Sequence, residues 1–130
     1  MLNAHVFLGK ITHVIKMPSE SCMHANITLY KQIHPCQCQA LFDLGFKSLI
    51  NLRFDDESSG QPKTSELCWH AEQVGLSYRH LPINGDSLHL ETVEAFARLL
   101  SDLPQPVMIF CGTGSRAKRL YQSAVVSGLI

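Results

Sequence analysis

Val107-Met-Ile-Phe-Cys-Gly-Thr-Gly-Ser-Arg116 is the stretch from which the rest of the chain can be read. Val107 to Phe110 is short and wholly apolar, as a buried strand is, and it runs straight into a loop with two glycines. Gly112 and Gly114 allow a tight turn, and residues 115–127 then read as a closing helix. A buried strand that passes through a glycine turn into a helix is a piece of an α/β fold.

The segments upstream repeat that alternation. Leu90, Val93, Phe96, Ala97 and Leu100 form one apolar helical stripe that ends before Pro104. Residues 77–83 read as a strand followed by the turn Asn84-Gly85-Asp86-Ser87. Residues 62–74 place Leu67, Ala71 and Val74 at helical spacing, with Gly75 as the stop. Residues 47–53 have the apolar content of a buried strand, which the turn-rich stretch 54–61 ends. Pro35 stands at a first helical position, residues 36–44 follow as a short helix, and Gly45 closes it. Residues 27–33 read as an edge strand. This order predicts a three-layer α/β/α fold with a mostly parallel central sheet over residues 25–130. Residues 1–24, less regular, are an irregular extension, either an arm or a partner contact. In such sheets the ligand crevice lies beyond the carboxyl ends of the strands. Residues 53–57, 84–87 and 111–116 all fall there.

Composition narrows the class further. At 130 residues, with 11 Lys+Arg against 11 Asp+Glu and 45% hydrophobic residues, the chain makes one globular domain and leaves no length for a second. Neutrality argues against nucleic acid or an anionic membrane as partner, because neither would gain from counterion release. The balance is uneven, however: about +2 over residues 1–42, −5 over 43–102 and +3 over 103–130. The last segment holds no acid, and its bases are Arg116, Lys118 and Arg119, which suits one small anion. No run approaches the ~18 apolar residues of a membrane span. Five cysteines without a secretory pattern at the start predict a reducing, cytoplasmic setting and free thiols. His34-Pro-Cys36-Gln-Cys38 lacks the second half of a zinc site, so no metal and no cofactor is expected. Cys68, beside Leu67 on its helix, reads as packing. Oligomeric state is not legible.

The loop after the last strand carries the chemistry. Successive N–H groups of Gly112, Thr113, Gly114 and Ser115 can point into one concavity that holds an anion, and the helix N-terminus adds partial positive charge. A cysteine at that spot is expected to be partly thiolate. Arg116 offers a planar fork to two oxygens of a phosphate. It could instead pair with an acid. Asp86 could serve as a proton donor or as a helix N-cap. Arg53, followed by Asp55, Asp56 and Glu57, could fix the loop by an ion pair or could touch the substrate.

A strand ending in Cys111, a glycine loop and Arg116 opening a helix together resemble the signature of cysteine-dependent protein-tyrosine and dual-specificity phosphatases. Residues 42–53 (FDLGFKSLINLR), Asp55-Asp56-Glu57, residues 75–82 (GLSYRHLP) and Val93-Glu-Ala-Phe96 extend the likeness. With them, residues 26–130 resemble the phosphatase-like domain of the beta-lactamase-hydrolase-like family. The resemblance implies a dual-specificity-phosphatase-like fold in which Cys111 attacks phosphorus, Arg116 and the backbone of Gly112, Thr113, Gly114 and Ser115 hold the oxygens, and Asp86 protonates the leaving group. The implied partner is a phosphorylated or other oxyanionic substrate, with phosphotyrosine among the candidates.

The chain also departs from that pattern. Four residues separate Cys111 from Arg116 where these phosphatases have five, Phe110 replaces their His, and Ala117 replaces their hydroxyl residue. The loop length is that of rhodanese-like sulfurtransferases, which leaves sulfur transfer through a Cys111 persulfide as an alternative. Non-catalytic docking of an oxyanionic partner is another.

Overall fold

The structure, a computed structural model, describes residues 26–86 and 88–130, and the backbone of residues 3–8 and 11–16. The described residues form six strands and four α-helices in the order β1 (Asn3–Leu8), β2 (Ile11–Lys16), β3 (Ile27–Tyr30), α1 (Cys38–Asp43), β4 (Ser48–Asn51), α2 (Thr64–Val74), β5 (Ser77–His80), α3 (Leu90–Asp102), β6 (Val107–Phe110) and α4 (Ser115–Val126), so that strands and helices alternate from β3 onward. They form one sheet in the order β2-β1-β3-β6-β4-β5, in which only β2 runs antiparallel to its neighbour.

Every residue of β3, β4 and β6 is buried, because helices cover both faces and no position along these strands meets water. Successive side chains alternate between two cores. Ile27, Leu29, Ile50, Val107 and Ile109 pack with Val93, Phe96 and Leu100 of α3 and with Ala117, Leu120, Tyr121 and Ala124 of α4. Tyr30, Leu49, Met108 and Phe110 pack on the other face with Cys38 and Leu41 of α1 and Leu67 and Ala71 of α2. The fold is therefore the three-layer, mostly parallel arrangement expected. α2 ends at Gly75, whose φ of 97° few other residues adopt, and a Cβ there would stand 3.2 Å from the Phe42 ring.

The register sets up the site. Tyr30 and Asn51 both lie opposite Phe110, and His80 lies opposite Asn51, so the four strands finish on one line. The chain just beyond that line carries Gln32, Arg53, Ile83 and Cys111.

Three details differ from the sequence reading. Residues 27–33 are not an edge strand: β3 stops at Tyr30 and is interior, bonded to β1 and to β6. The stretch expected to be an irregular extension contains β1 and β2, which are joined by only Gly9 and Lys10. The residues scattered over this stretch thus supply two strands that pair antiparallel, from Asn3 opposite Lys16 to Leu8 opposite Ile11. The first helix opens as a 3-10 turn over Pro35–Gln37 before α1.

Candidate active site

Cys111 is the first residue after β6 and is fully buried. Its N–H continues the sheet by donating to the Tyr30 carbonyl at 3.4 Å. The chain then turns so sharply that Gly114, with φ of 96°, becomes the N-cap of α4 and donates its N–H to Cys111 Sγ at 3.0 Å. A Cβ on Gly114 would stand 3.5 Å from the Tyr30 carbonyl oxygen in that strained conformation. Thr113 Oγ1 lies 2.9 Å from Ser115 Oγ and accepts the Ser115 N–H at 3.4 Å. Of the four residues expected to cradle an anion, Gly114 thus aims its N–H at the sulfur, and the Ser115 N–H is engaged by Thr113. Gly112 lies beneath Arg53, whose guanidinium would be 3.5 Å from a Cβ there.

Arg116, in the first turn of α4, reaches across to the loop after β4. Its Nη1 and Nη2 donate to Glu57 Oε2 and Oε1 at 2.8 and 2.7 Å, and Nη1 donates also to the Ile83 carbonyl at 3.1 Å. Three of the five guanidinium N–H groups are thereby used. Hydrogen bonding to Glu57 is the main reason the guanidinium is held more firmly charged than usual. Burial opposes it, and the neighbouring Cys111 adds to it. Pairing with an acid is thus what the structure shows for Arg116, but the acid lines the same cleft, and the guanidinium also meets Cys111 by a side-chain hydrogen bond.

Glu57 joins both arginines. Oε1 also accepts from Arg53 Nε at 2.8 Å, and Oε2 from the Phe54 N–H at 2.9 Å. Arg53 completes its bonding through Gln32 Oε1 at 2.7 Å and Ser58 Oγ at 3.4 Å. Of its two readings, the ion pair that fixes the loop is the one observed. The sequence reading paired the acids with Arg53 alone and did not anticipate the contact from Glu57 to Arg116. Asn51, Tyr78 and Thr64 form a further chain of hydrogen bonds under the loop, and His80 bonds the Arg53 carbonyl.

The hydrogen bond to Arg116, supported by Arg53 and the Phe54 N–H and opposed by partial burial, brings the Glu57 carboxyl down to about 2 from 4.5. A carboxyl depressed in the folded state stabilises it above the ordinary value, and that contribution fades as pH falls towards the depressed one. Glu57→Gln is therefore expected to lower unfolding stability by about 1–2 kcal/mol at pH 7, a figure that allows for solvent screening. In chemical denaturation the gap to the parent chain closes between about pH 5 and pH 2. A gap that stays constant over this range would assign the effect to packing instead of charge.

Phe54, Glu57, Ile83, Asn84, Gly85, Asp86, Ser115, Arg116 and Arg119 line an open cleft of about 360 Å³ over this loop. Asp86 is held in its turn by its own N–H, which donates to Asn84 Oδ1 at 3.0 Å. It does not cap a helix: α3 begins at Leu90 and its N-cap is His89. The carboxylate makes no hydrogen bond or ion pair among the described residues.

Of the other described thiols, Cys38 is buried, Cys68 half-buried and Cys36 exposed. Burial, with Cys36 beside it, pushes the Cys38 thiol up to about 11, and burial also raises Cys68, followed by Glu72. Among the described residues no three His, Cys, Asp or Glu side chains group as metal ligands, and no helix is long and apolar enough to cross a membrane.

A parallel sheet whose central strand ends in a thiol, backed by a glycine loop and an arginine at a helix start, defines a phosphatase-like α/β domain. Residues 22–127 match the family described as the phosphatase-like domain of Beta-lactamase hydrolase-like protein, and the chain belongs to that family. A Beta-lactamase hydrolase-like protein of Xylella fastidiosa is 35% identical over 85 residues, which are 65% of this chain and 20% of that protein. One from Agrobacterium fabrum is 35% identical over 77 residues, 59% of this chain and 18% of its own length. The chain thus spans about a fifth of the curated relatives it matches. Among solved structures, a "putative phosphatase" from Neisseria meningitidis superposes with a TM-score of 0.70 at 27% identity, covering 74% of this chain and 68% of that one. A "putative phosphatase" from Shewanella putrefaciens gives 0.63 at 21% identity over 75% and 61%, which shows the shared fold.

Proposed function

We propose that this chain is a cysteine-dependent phosphatase domain that hydrolyses phosphate monoesters, aryl esters of the phosphotyrosine type among them, through a cysteinyl-phosphate at Cys111. One observation carries the reading: Arg116, held by Glu57 and Ile83, lines the cleft and also meets Cys111 by a side-chain hydrogen bond, so the guanidinium joins the cleft to the thiol. A phosphoryl group drawn to that guanidinium would stand next to the sulfur that attacks it. Membership of a phosphatase-like family supports it.

In the first step the Cys111 thiolate forms an S–P bond while the P–O bond to the leaving group breaks. Asp86 gives its proton to the departing oxygen. Arg116, already oriented by Glu57, holds charge that shifts onto the equatorial oxygens, while the Gly114 N–H on Sγ favours the thiolate as nucleophile and as leaving group. In the second step water attacks phosphorus, the deprotonated Asp86 takes the proton, and inorganic phosphate and the thiolate are released. Phe54, about half exposed at the cleft wall, offers a flat apolar face to an aryl leaving group. A reducing, cytoplasmic setting would keep the thiol in the form the reaction uses.

The short loop, with the Gly114 N–H directly on the sulfur, favours sulfur transfer as the second reading. Assaying the reduced chain in parallel with an aryl phosphate and with thiosulfate plus a thiophilic acceptor separates the two. Phosphate release is expected; sulfur transfer alone would replace the first reading by the second. Asp86→Asn is expected to lower kcat about 100-fold for an ester with a poor leaving group and to remove the basic limb of the pH–rate profile. Retention of that limb would take the proton donor's role away from Asp86.

A further inference from the structure

The cleft holds a second arginine for which the hydrolysis just described has no use. Arg119 lies three residues beyond Arg116, on the same side of α4. Both side chains cross the backbone of Gly85. A Cβ at that position would stand 2.9 Å from Arg119 Nη2, 2.9 Å from Arg116 Cγ and 3.2 Å from Arg116 Cδ. Glycine at position 85 is thus what lets both arginines lie flat along the cleft wall.

Their partners differ. Arg53 and Arg116 share one carboxylate, Glu57, which uses both oxygens on them. Arg119 makes no ion pair among the described residues, although it borders the same cleft. The remaining acid there is Asp86, which forms no ion pair with Arg119 among the described residues. Lys118 does not line the cleft. An exposed arginine held over a glycine, in the cleft that Arg116 and Phe54 also line, is placed to receive a second pair of oxygens on the same substrate.

We infer that Arg119 is a specificity-determining residue, and that the preferred substrates are phosphate monoesters whose leaving group carries a second oxyanion, either phosphate or carboxylate, a short distance from the scissile phosphate. This rests on the phosphatase reading of the site. It adds that the leaving group lies between Phe54 and Gly85, with its outer anion on the Arg119 fork.

The test compares phenyl phosphate, 3-carboxyphenyl phosphate and benzene-1,3-diyl bisphosphate on the parent chain and on Arg119→Gln. The parent is expected to favour at least one bis-anionic ester about 10-fold in kcat/KM, mainly through KM, and which one identifies the outer anion. In Arg119→Gln that ratio falls towards one, and in the parent it shrinks with added salt. Absence of any preference in the parent, or a ratio that Arg119→Gln leaves intact, would overturn the inference. Calorimetric binding of phenylphosphonate and benzene-1,3-bisphosphonate gives the same comparison without turnover. A chain that hydrolyses none of the esters but still binds the bisphosphonate more tightly through Arg119 would refute the phosphatase reading and keep the second anion subsite. Equal binding of the two phosphonates would refute the subsite itself.

Discussion

Cys111→Ser is expected to reduce aryl phosphate hydrolysis by about 10⁴-fold or more, with the fold retained. A serine hydroxyl in the same place is a far poorer nucleophile because so little of it ionises near neutral pH, and nothing beside it acts as a base strong enough to help. The substitution is nearly isosteric, and the Gly114 N–H that donates to sulfur can donate to oxygen, so the turn keeps its hydrogen bond. Arg116 and its tether to Glu57 are untouched. The variant should therefore still bind phosphate, with a dissociation constant within a few-fold of the parent's in calorimetry. Steady-state phosphate release and a far-ultraviolet spectrum suffice to check it. Hydrolysis that persists in a folded Cys111→Ser chain would show that the thiol is not the nucleophile.

Arg116→Lys has the second largest expected effect, a loss of about 10²–10³-fold in kcat. The fork performs two tasks at once. It bonds both oxygens of Glu57, and in the proposed reaction it meets the phosphoryl oxygens. A lysine ammonium is a point charge on a flexible stem and cannot present both faces. Drawn to Glu57 it would leave the phosphoryl group; drawn to the phosphoryl group it would leave Glu57 with Arg53 alone. The loss falls on kcat more than on KM, because the charge that Arg116 meets grows as the P–O bond breaks. A variant in which KM alone rises would make Arg116 a binding group with no special hold on the transition state.

How much of this was readable beforehand follows from chain distance. The strand, glycine turn and helix from Val107 to Arg116 are consecutive, so their local signals add up, and the structure has all three. Gly45 and Gly75 mark helix ends because each adopts a φ that other residues avoid, a property visible in the residue type itself. The contact between Glu57 and Arg116 spans 59 positions, and no pattern around Asp55-Asp56-Glu57 says which of the acids crosses the cleft. Lys63 takes Asp56 and the Thr64 N–H takes Asp55, and only the folded loop separates these roles. Gly85 looked like an ordinary turn glycine, since the two arginines that need its missing Cβ come from a helix on the far side of β6. β1 and β2 were hidden because NAHVFL and ITHVIK mix polar and apolar residues without a clean period of two, so neither gives the strand signal that the wholly apolar Val107–Phe110 does.

The claim at the centre is a covalent bond between Cys111 and phosphorus. It is tested most directly by mixing the reduced chain with an aryl phosphate, quenching in acid within one turnover and reading the mass of the peptide that holds Cys111. The proposed chemistry predicts a phosphoryl mass increment on Cys111 that rises and decays in step with phosphate release and is absent in Cys111→Ser. Phosphate released with no adduct at any quench time, or an adduct carrying the mass of one sulfur atom instead, would contradict it.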